Sequence, residues 1–214
     1  MLMKCVRFTT LCGCLLLAAV AVLLSTGTAL ADVSLDEFAQ AITANDSLSD
    51  AQRQQAANTI NQLKADDEAP SYIASEVLMQ LYPKFEDAMA ALGEEEIDAA
   101  VTKLTEMAKD GDKHLAAEAT YYIGRAHMMS EHYELALPVW NAILEEHAEA
   151  TFRTAEALFF KGMSESQLLK RKEAIASLDK FILDYENAPE RMQVAAWHEL
   201  ELLRAIEDGT LIDV

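Results

Sequence analysis

The sequence predicts an all-α protein of stacked helical hairpins, and three observations support this fold. The 214-residue chain contains only seven glycines and four prolines, so few positions interrupt a helix. Alanine, leucine, glutamate, methionine, glutamine and lysine fill the segments between them, and these residues favour helices. Similar segments also recur 38 residues apart, which indicates a repeat. We therefore expect about three antiparallel hairpins and a closing helix, preceded by a short N-terminal helical arm.

Residues 1–31 have the layout of a cleaved secretory signal peptide. Two basic residues precede an apolar run at 11–24, and the small residues Ala29 and Ala31 precede a cleavage position after residue 31. The run is shorter than the roughly 20 residues that a membrane-spanning helix needs. We therefore expect export to the periplasm or an equivalent envelope space, with no membrane insertion after the signal is removed.

Cysteine content and charge exclude several kinds of site and partner. Cys5, Cys12 and Cys14 are all within residues 1–31, so the exported chain is predicted to have no disulfide and no cysteine metal site. The chain has a net charge of −19, and signal removal takes away two basic residues and no acidic ones. Because such a surface repels nucleic acid and anionic lipid headgroups, we expect neither as a partner. We interpret the charge as a solubilising coat on exposed helix faces.

Residues 32–69, called the N-terminal arm below, are predicted to form two short amphipathic helices. A capping box begins each helix, formed by Ser34 with Glu37 and by Ser49 with Gln52. The apolar stripes are narrow, which predicts a loosely docked hairpin or a partly mobile arm. Their apolar residues are Leu35, Phe38 and Ile42 in the first helix and Ala56, Ile60 and Leu63 in the second.

The segments around Gly124 and Gly162 form the repeat. In each unit, a small residue lies twelve positions after the glycine, and a large residue lies four positions further on. An antiparallel hairpin explains this order, because small residues allow two backbones to touch and large residues fill the adjacent gaps. The aligned residues are Gly124, Ala136 and Trp140 in one unit, and Gly162, Ala174 and Leu178 in the next.

These residues resemble the tetratricopeptide repeat, with its small first-helix residue, second-helix alanine and following large residue. The resemblance defines a repeat domain at residues 70–206, followed by a C-terminal tail at 207–214. The turns at 147–150 and 185–189 are similar to those of exported bacterial members, including the periplasmic Tol-Pal-associated protein and the repeat lipoprotein of the outer-membrane β-barrel assembly machinery. The resemblance implies a right-handed superhelix whose first helices line a concave face that holds peptides or extended segments.

Six first-helix residues are predicted to face that concave surface. An arginine among aromatic and methionine side chains can grip a carboxylate or a backbone group, while the apolar groups supply contact area. The sequence also allows the aromatic residues and Met163 to pack between neighbouring hairpins instead. The six residues predicted to bind a partner are Tyr121, Arg125, Met128, Phe159, Met163 and Ser166.

Two prolines, Pro83 and Pro138, lie inside predicted helices. Proline lacks the N–H donor that a helix interior requires, and its ring clashes with the preceding turn. We therefore expect both helix axes to bend at these positions.

Candidate catalytic and metal-ligating patterns are weak in this sequence. The five histidines lack the His-Glu-x-x-His spacing of zinc enzymes. Acidic clusters at 66–68 and 94–96 fall at helix boundaries, where negative charge is favourable near a helix N-terminus. We therefore expect no catalytic residue, metal or cofactor, and interpret the chain as a scaffold that binds protein or peptide partners in the cell envelope.

Two alternative functions remain open at this point. The chain could be an enzyme or an accessory subunit that uses acidic residues of a groove, which requires a deep pocket with two facing carboxylates. It could instead be a structural protein that self-associates through the N-terminal arm. The second alternative uses Leu35, Phe38, Ile60 and Leu63 as the contact between copies.

Overall fold

A computed structural model describes residues 33–109 and 111–210 of the chain. The predicted signal peptide and the last four residues of the predicted tail lie outside these ranges. The described part contains ten α-helices, one 3₁₀ helix and no strand. The α-helices are α1 (Leu35–Ala44), α2 (Asp50–Ala65), α3 (Pro70–Leu81), α4 (Pro83–Gly93), α5 (Ile97–Met107), α6 (Lys113–Met129), α7 (Tyr133–Glu146), α8 (Thr154–Gln167), α9 (Arg171–Asp184) and α10 (Glu190–Glu207).

Each helix packs mainly on its neighbours in the sequence, which produces a stack of antiparallel hairpins. Helices α4 and α5, α6 and α7, and α8 and α9 form three successive hairpins, and α10 closes the stack against α9 and α8. The 3₁₀ helix at Ala148–Ala150 lies between α7 and α8. This arrangement confirms the prediction of an all-α helical repeat fold. Among the described helices, none combines the length and the apolar character needed to cross a membrane.

The two glycines that anchor the sequence repeat occupy equivalent positions in α6 and α8. A Cβ atom built on Gly124 would lie 2.5 Å from Cη2 of Trp140, and one on Gly162 would lie 2.7 Å from Cγ of Leu178. Both distances are too short for a real side chain, so only glycine permits this approach of the two helices. The predicted correspondence between the two units is confirmed.

Helix starts follow the sequence signals with one correction. Both predicted capping boxes, at Ser34 and at Ser49, are present. Pro138 lies inside α7 as predicted, whereas the prediction that Pro83 lies inside a helix is wrong. Pro83 is at the start of α4, and Tyr82 before it has non-helical backbone angles of −125° and 89°. Proline excludes its predecessor from the helical region but fits the first helical position, so the chain ends one helix and begins another.

The N-terminal arm is part of the main hydrophobic core, so the expectation of a loosely docked or mobile arm is wrong. Phe38 is fully buried, and its ring meets His114 at 5.1 Å and Phe152 at 5.9 Å between centroids. The backbone N–H of Val33 donates to the carbonyl oxygen of Thr151 at 3.3 Å. The narrow apolar stripe of α1 is sufficient to dock the arm, because α1 contacts both the start of α6 and the segment before α8.

The second helix of the arm is docked in the same way. Ile60 of α2 is 5% exposed and belongs to the same core cluster as Ile73 and Val77 of α3. Phe38 and Ile60 are therefore buried within the chain. This contradicts the alternative in which they pair with another copy.

Candidate functional site

A buried group of polar and aromatic side chains joins three helices on one side of the stack. It centres on Arg153, immediately before α8, and includes residues of α3 and α6. We call this group the Arg153 cluster. Its members are Ser75, Glu118, Tyr121, Tyr122, Arg153 and Glu156.

The guanidinium of Arg153 makes the contacts that hold the cluster together. Its Nη2 donates to Oε1 of Glu118 at 2.8 Å and to Oγ of Ser75 at 2.9 Å, and its Nε donates to the same Glu118 oxygen at 3.2 Å. Its Nη1 donates to Oε1 of Glu156 at 3.2 Å. Arg153 is 8% exposed and Glu118 is 2% exposed, so this ion pair is almost fully removed from water.

Burial and charge act in opposite directions on Arg153. Burial alone lowers the pKa of Arg153, but the nearby carboxylates of Glu118 and Glu156 outweigh it and hold the pKa above its usual value. The side chain is therefore permanently charged. Either charge would be costly to bury alone, so the buried position of Arg153 depends on Glu118 and that of Glu118 depends on Arg153.

Tyr121 links the buried cluster to the partly exposed side chain of Arg125. The Tyr121 hydroxyl donates to a carboxylate oxygen of Glu156 and accepts from Nη1 of Arg125 at 3.1 Å. The Arg153 guanidinium carbon lies 4.5 Å from the centre of the Tyr121 ring, within the range of a cation–π contact. Burial, followed by the charge of Glu156, raises the pKa of Tyr121, so its hydroxyl stays protonated and can donate.

Arg125 has a defined orientation although its side chain is only half-buried. Its guanidinium carbon lies 5.0 Å from the centre of the Phe160 ring, and its Nη1 is held by Tyr121. A guanidinium has five N–H donors in one plane. The arrangement can therefore present an oriented, positively charged group beside an aromatic ring.

The structure brings together some of the six residues predicted to bind a partner and separates others. Tyr121 and Arg125 are in contact, but Tyr121 is 2% exposed and lies in a cluster with Trp140. Phe159 is 7% exposed and lies in the cluster of α8, α9 and α10, where Met163 packs against it. The two aromatic rings thus pack between helices, as the alternative interpretation allowed.

The remaining two predicted residues also make internal contacts. The Met128 sulfur accepts from Oγ of Ser164 at 3.1 Å, and Ser166 donates to a carboxylate oxygen of Glu199 in α10. Met128 and Met163 keep partly exposed side chains, as Arg125 does. Partner binding by the six residues stays a prediction.

Sequence reasoning missed Arg153, Glu118, Glu156 and Ser75. One signal could have indicated the cluster, because Glu118 lies in an apolar run between Ala117 and Ala119. A carboxylate on a buried helix face needs a positive partner. The identity of that partner depends on the distance between α6 and the residue before α8, which no local pattern contains.

A second feature is a cleft of about 590 Å³ between the end of α1 and the start of α6. Asp112 is the one carboxylate among the described residues that line it. Oδ2 of Asp112 accepts from the Tyr82 hydroxyl at 2.6 Å, and its Oδ1 accepts from the backbone N–H of His114 at 2.9 Å. Asp112 therefore caps α6, and the lining does not place two carboxylates face to face as the enzyme alternative requires. Residues 33–109 and 111–210 also contain no group of three His, Cys, Asp or Glu side chains placed so that they could hold a metal ion.

Comparison with known proteins agrees with the hairpin geometry. Part of this chain is similar to a tetratricopeptide repeat protein. It is 42% identical over 71 residues to tetratricopeptide repeat protein 29 of Homo sapiens. The matched stretch covers 31% of this chain and 14% of the human protein. The same protein of Macaca fascicularis is 41% identical over 71 residues, with the same coverage. No family model and no solved structure matches the chain.

The chain thus spans about one seventh of the length of these two relatives. The similarity supports a tetratricopeptide-like repeat and, in general, a role in protein interaction.

Proposed function

We propose that this chain is a non-catalytic scaffold of the cell envelope that binds a protein or peptide partner on the face formed by its first helices. The observation that carries the proposal is the fixed position of Arg125 on the partly exposed edge of the Arg153 cluster. The similarity to a tetratricopeptide repeat protein supports a binding role over a catalytic one.

The fixed position of Arg125 favours binding because little side-chain entropy remains to be lost. Arg153 and Glu156 hold Tyr121, and Tyr121 holds Arg125. An immobilised side chain of this length otherwise costs on the order of 1 kcal/mol on binding. Arg125 is therefore well suited to receive an acceptor group of the partner.

The partner we infer is a segment that presents a carboxylate or backbone carbonyl beside apolar side chains. The planar guanidinium of Arg125 pairs well with a carboxylate, and Phe160, Met128 and Met163 offer partly exposed apolar surface nearby. The net charge of −19 repels strongly acidic proteins at long range. The carboxylate is therefore expected on a partner that is neutral or basic overall.

Replacement of Arg125 tests this proposal. Wild-type protein and Arg125→Ala are used as bait in an envelope extract, and the partner captured by the wild type is quantified. We expect capture to fall at least about tenfold, since a lost charged hydrogen bond is worth about 1.5–3 kcal/mol.

The matched control is Lys172→Ala, which removes the same charge from an exposed position on the second helix α9. Capture by this variant should equal that of the wild type. Equal capture by Arg125→Ala and the wild type would contradict the proposed binding face.

The envelope location rests on residues 1–31 and is tested by sequencing the N-terminus of the isolated protein, with Asp32 expected first.

A further inference from the structure

His114 is a buried histidine at the point where three parts of the fold meet. It lies in the first turn of α6 and is 4% exposed. Its ring packs on the Phe38 ring of α1, with 5.1 Å between the centroids and an angle of 89° between the planes. Its Nδ1 lies 2.8 Å from the carbonyl oxygen of Ala150 in the 3₁₀ helix. The N-terminal arm and the segment before α8 therefore both contact this one imidazole of α6.

The hydrogen bond to Ala150 determines which nitrogen of the neutral His114 ring carries the proton. A carbonyl oxygen only accepts, so Nδ1 is protonated and donates, and Nε2 is left as an acceptor. Within residues 33–109 and 111–210, Nε2 is buried and has no hydrogen-bond partner. The adjacent Phe38 ring has no lone pair to offer. Protonation would therefore add a positive charge and a second N–H in a place where no acceptor meets it.

The groups at the start of α6 act on the His114 ring in both directions. The carboxylate of Asp112 and the carbonyl oxygen of Ala150 favour the protonated ring, whereas the charge of Lys113 opposes it. Burial is the largest effect, and it holds the pKa of His114 below the usual value for histidine. The neutral ring is therefore the form that fits the folded protein.

The elements packed against His114 also carry titratable and charged side chains. These are Asp36 and Glu37 of α1, and His147, Glu149 and Arg153 in and around the 3₁₀ helix. The three carboxylates are exposed, so water screens their attraction for a buried charge. His147 is half-buried, and Arg153 is buried but paired with Glu118. Among the described residues, none of these side chains supplies an acceptor for Nε2 of His114.

We propose that His114 makes the docking of the N-terminal arm sensitive to pH, because protonation of its ring weakens the junction with α1 and with the 3₁₀ helix. The arm is held at this junction by Phe38 and by the hydrogen bond from Val33 to Thr151. Phe38 belongs to the main core, so a weaker junction lowers the stability of the whole fold.

The direction of the pH dependence follows from the preference of the folded protein for neutral His114. The stabilising contribution is fully present above the pKa of about 6.5 that histidine has in an unfolded chain. It is lost as the pH falls below this value towards the lower pKa of the folded ring, because the unfolded chain then binds a proton that the folded protein does not.

Urea unfolding at about pH 7.5 and about pH 5.5 tests the proposal. Between these two values, the equilibrium constant for unfolding of the wild type is expected to rise by up to about tenfold through His114. In His114→Asn, the side-chain amide can still donate to Ala150 but does not take up a proton. The rise in this variant should be smaller by the same factor.

His198→Asn is the matched control, since His198 is an exposed histidine of α10, and this variant should respond to pH like the wild type. Burial also lowers the pKa of His127 and of His147. Both residues are present in all three proteins, so the difference between wild type and His114→Asn reports His114 alone. An equal response of these two proteins, or a wild type that is not destabilised at the lower pH, would overturn the proposal.

Two NMR measurements on the wild type test the same proposal even if His114→Asn disturbs folding. The His114 ring is expected to titrate below the usual pKa of histidine, and a pKa at or above that value would overturn the proposal. The protection of the Val33 amide against hydrogen exchange should fall between about pH 7.5 and about pH 5.5. Unchanged protection would show that protonation does not act on the arm.

Discussion

Arg153 holds together residues that are far apart along the chain. It joins Ser75 of α3, Glu118 of α6 and Glu156 of α8 through hydrogen bonds, and its guanidinium covers the Tyr121 ring. A buried ion pair adds little stability over a well-packed apolar pair, but loss of one partner leaves an uncompensated charge. Its main effect is therefore to fix one relative position of three helices.

Truncation of Arg153 should be strongly destabilising for this reason. We expect Arg153→Ala to lower the free energy of unfolding by about 3–5 kcal/mol, because Glu118 is left buried without its positive partner. Lys64→Ala is the control, since the Lys64–Asp36 pair has side chains 59% and 81% exposed and should contribute at most about 1 kcal/mol. Urea denaturation of both variants measures the difference. Equal destabilisation by the two changes would show that burial does not strengthen the dependence on Arg153.

Among the helices, every second one ends in the same kind of C-terminal cap. Helices α2, α4, α6 and α8 are each followed by a residue of positive φ, namely Asp67, Glu95, Glu131 and Leu169. In each case the next N–H donates to a carbonyl five residues earlier, as in the Schellman motif. Helix α10 ends in the same way at Gly209. The shared cap supports the equivalence of these five helices.

Leu169→Gly is predicted to stabilise the protein. Leu169 has a φ of 57°, a conformation that costs a residue with a side chain roughly 1–2 kcal/mol, and it is 69% exposed. Glycine removes this strain but increases the entropy of the unfolded chain, so we expect a net gain of about 0.5–1 kcal/mol. Thermal unfolding measures the change.

Leu183→Gly is the matched control for this change. Leu183 is an exposed leucine inside α9, where glycine should destabilise the helix by about 1 kcal/mol. Destabilisation by Leu169→Gly would show that the turn is not strained.

At the scale of the whole molecule, the N-terminal arm and the hairpins share one hydrophobic core. Phe38 and Ile42 of α1 lie in the same cluster as Phe85 of α4 and Leu104 of α5. A second cluster unites α8, α9 and α10, and a smaller one around Trp140 lies between the two. The Arg153 cluster also connects the N-terminal and C-terminal parts of the stack, through α3, α6 and the start of α8. We therefore expect the described residues to unfold cooperatively.

Phe38→Ala tests whether the arm and the hairpins unfold together. Removal of this fully buried ring should lower the free energy of unfolding by about 3–5 kcal/mol and move the transition of the whole protein. Leu35→Ala, at a partly buried position of the same helix, should cost less. The transition is followed by far-UV circular dichroism and by fluorescence of Trp140 in the stack. A separate early transition of the arm, with Trp140 unaffected, would contradict a single cooperative unit.

Residue composition and spacing were enough to predict the all-α fold, the caps at Ser34 and Ser49, and the correspondence of Gly124 with Gly162. These features depend on local hydrogen bonds and on the regular spacing of small and large residues, which the order of amino acids contains directly. Tertiary structure decided whether Tyr121 and Phe159 lie on a surface or between helices. It also decided that α1 docks against α6, because a narrow stripe does not reveal what covers it.

The Arg153 cluster illustrates the same limit. Arg153 and Glu118 are 35 residues apart, and Arg153 and Ser75 are 78 residues apart. Their contact depends on the angles at which three helices cross, and those angles result from side-chain volumes distributed over the whole core. Local spacing can indicate that a buried charge needs a partner, but only the assembled stack selects which one.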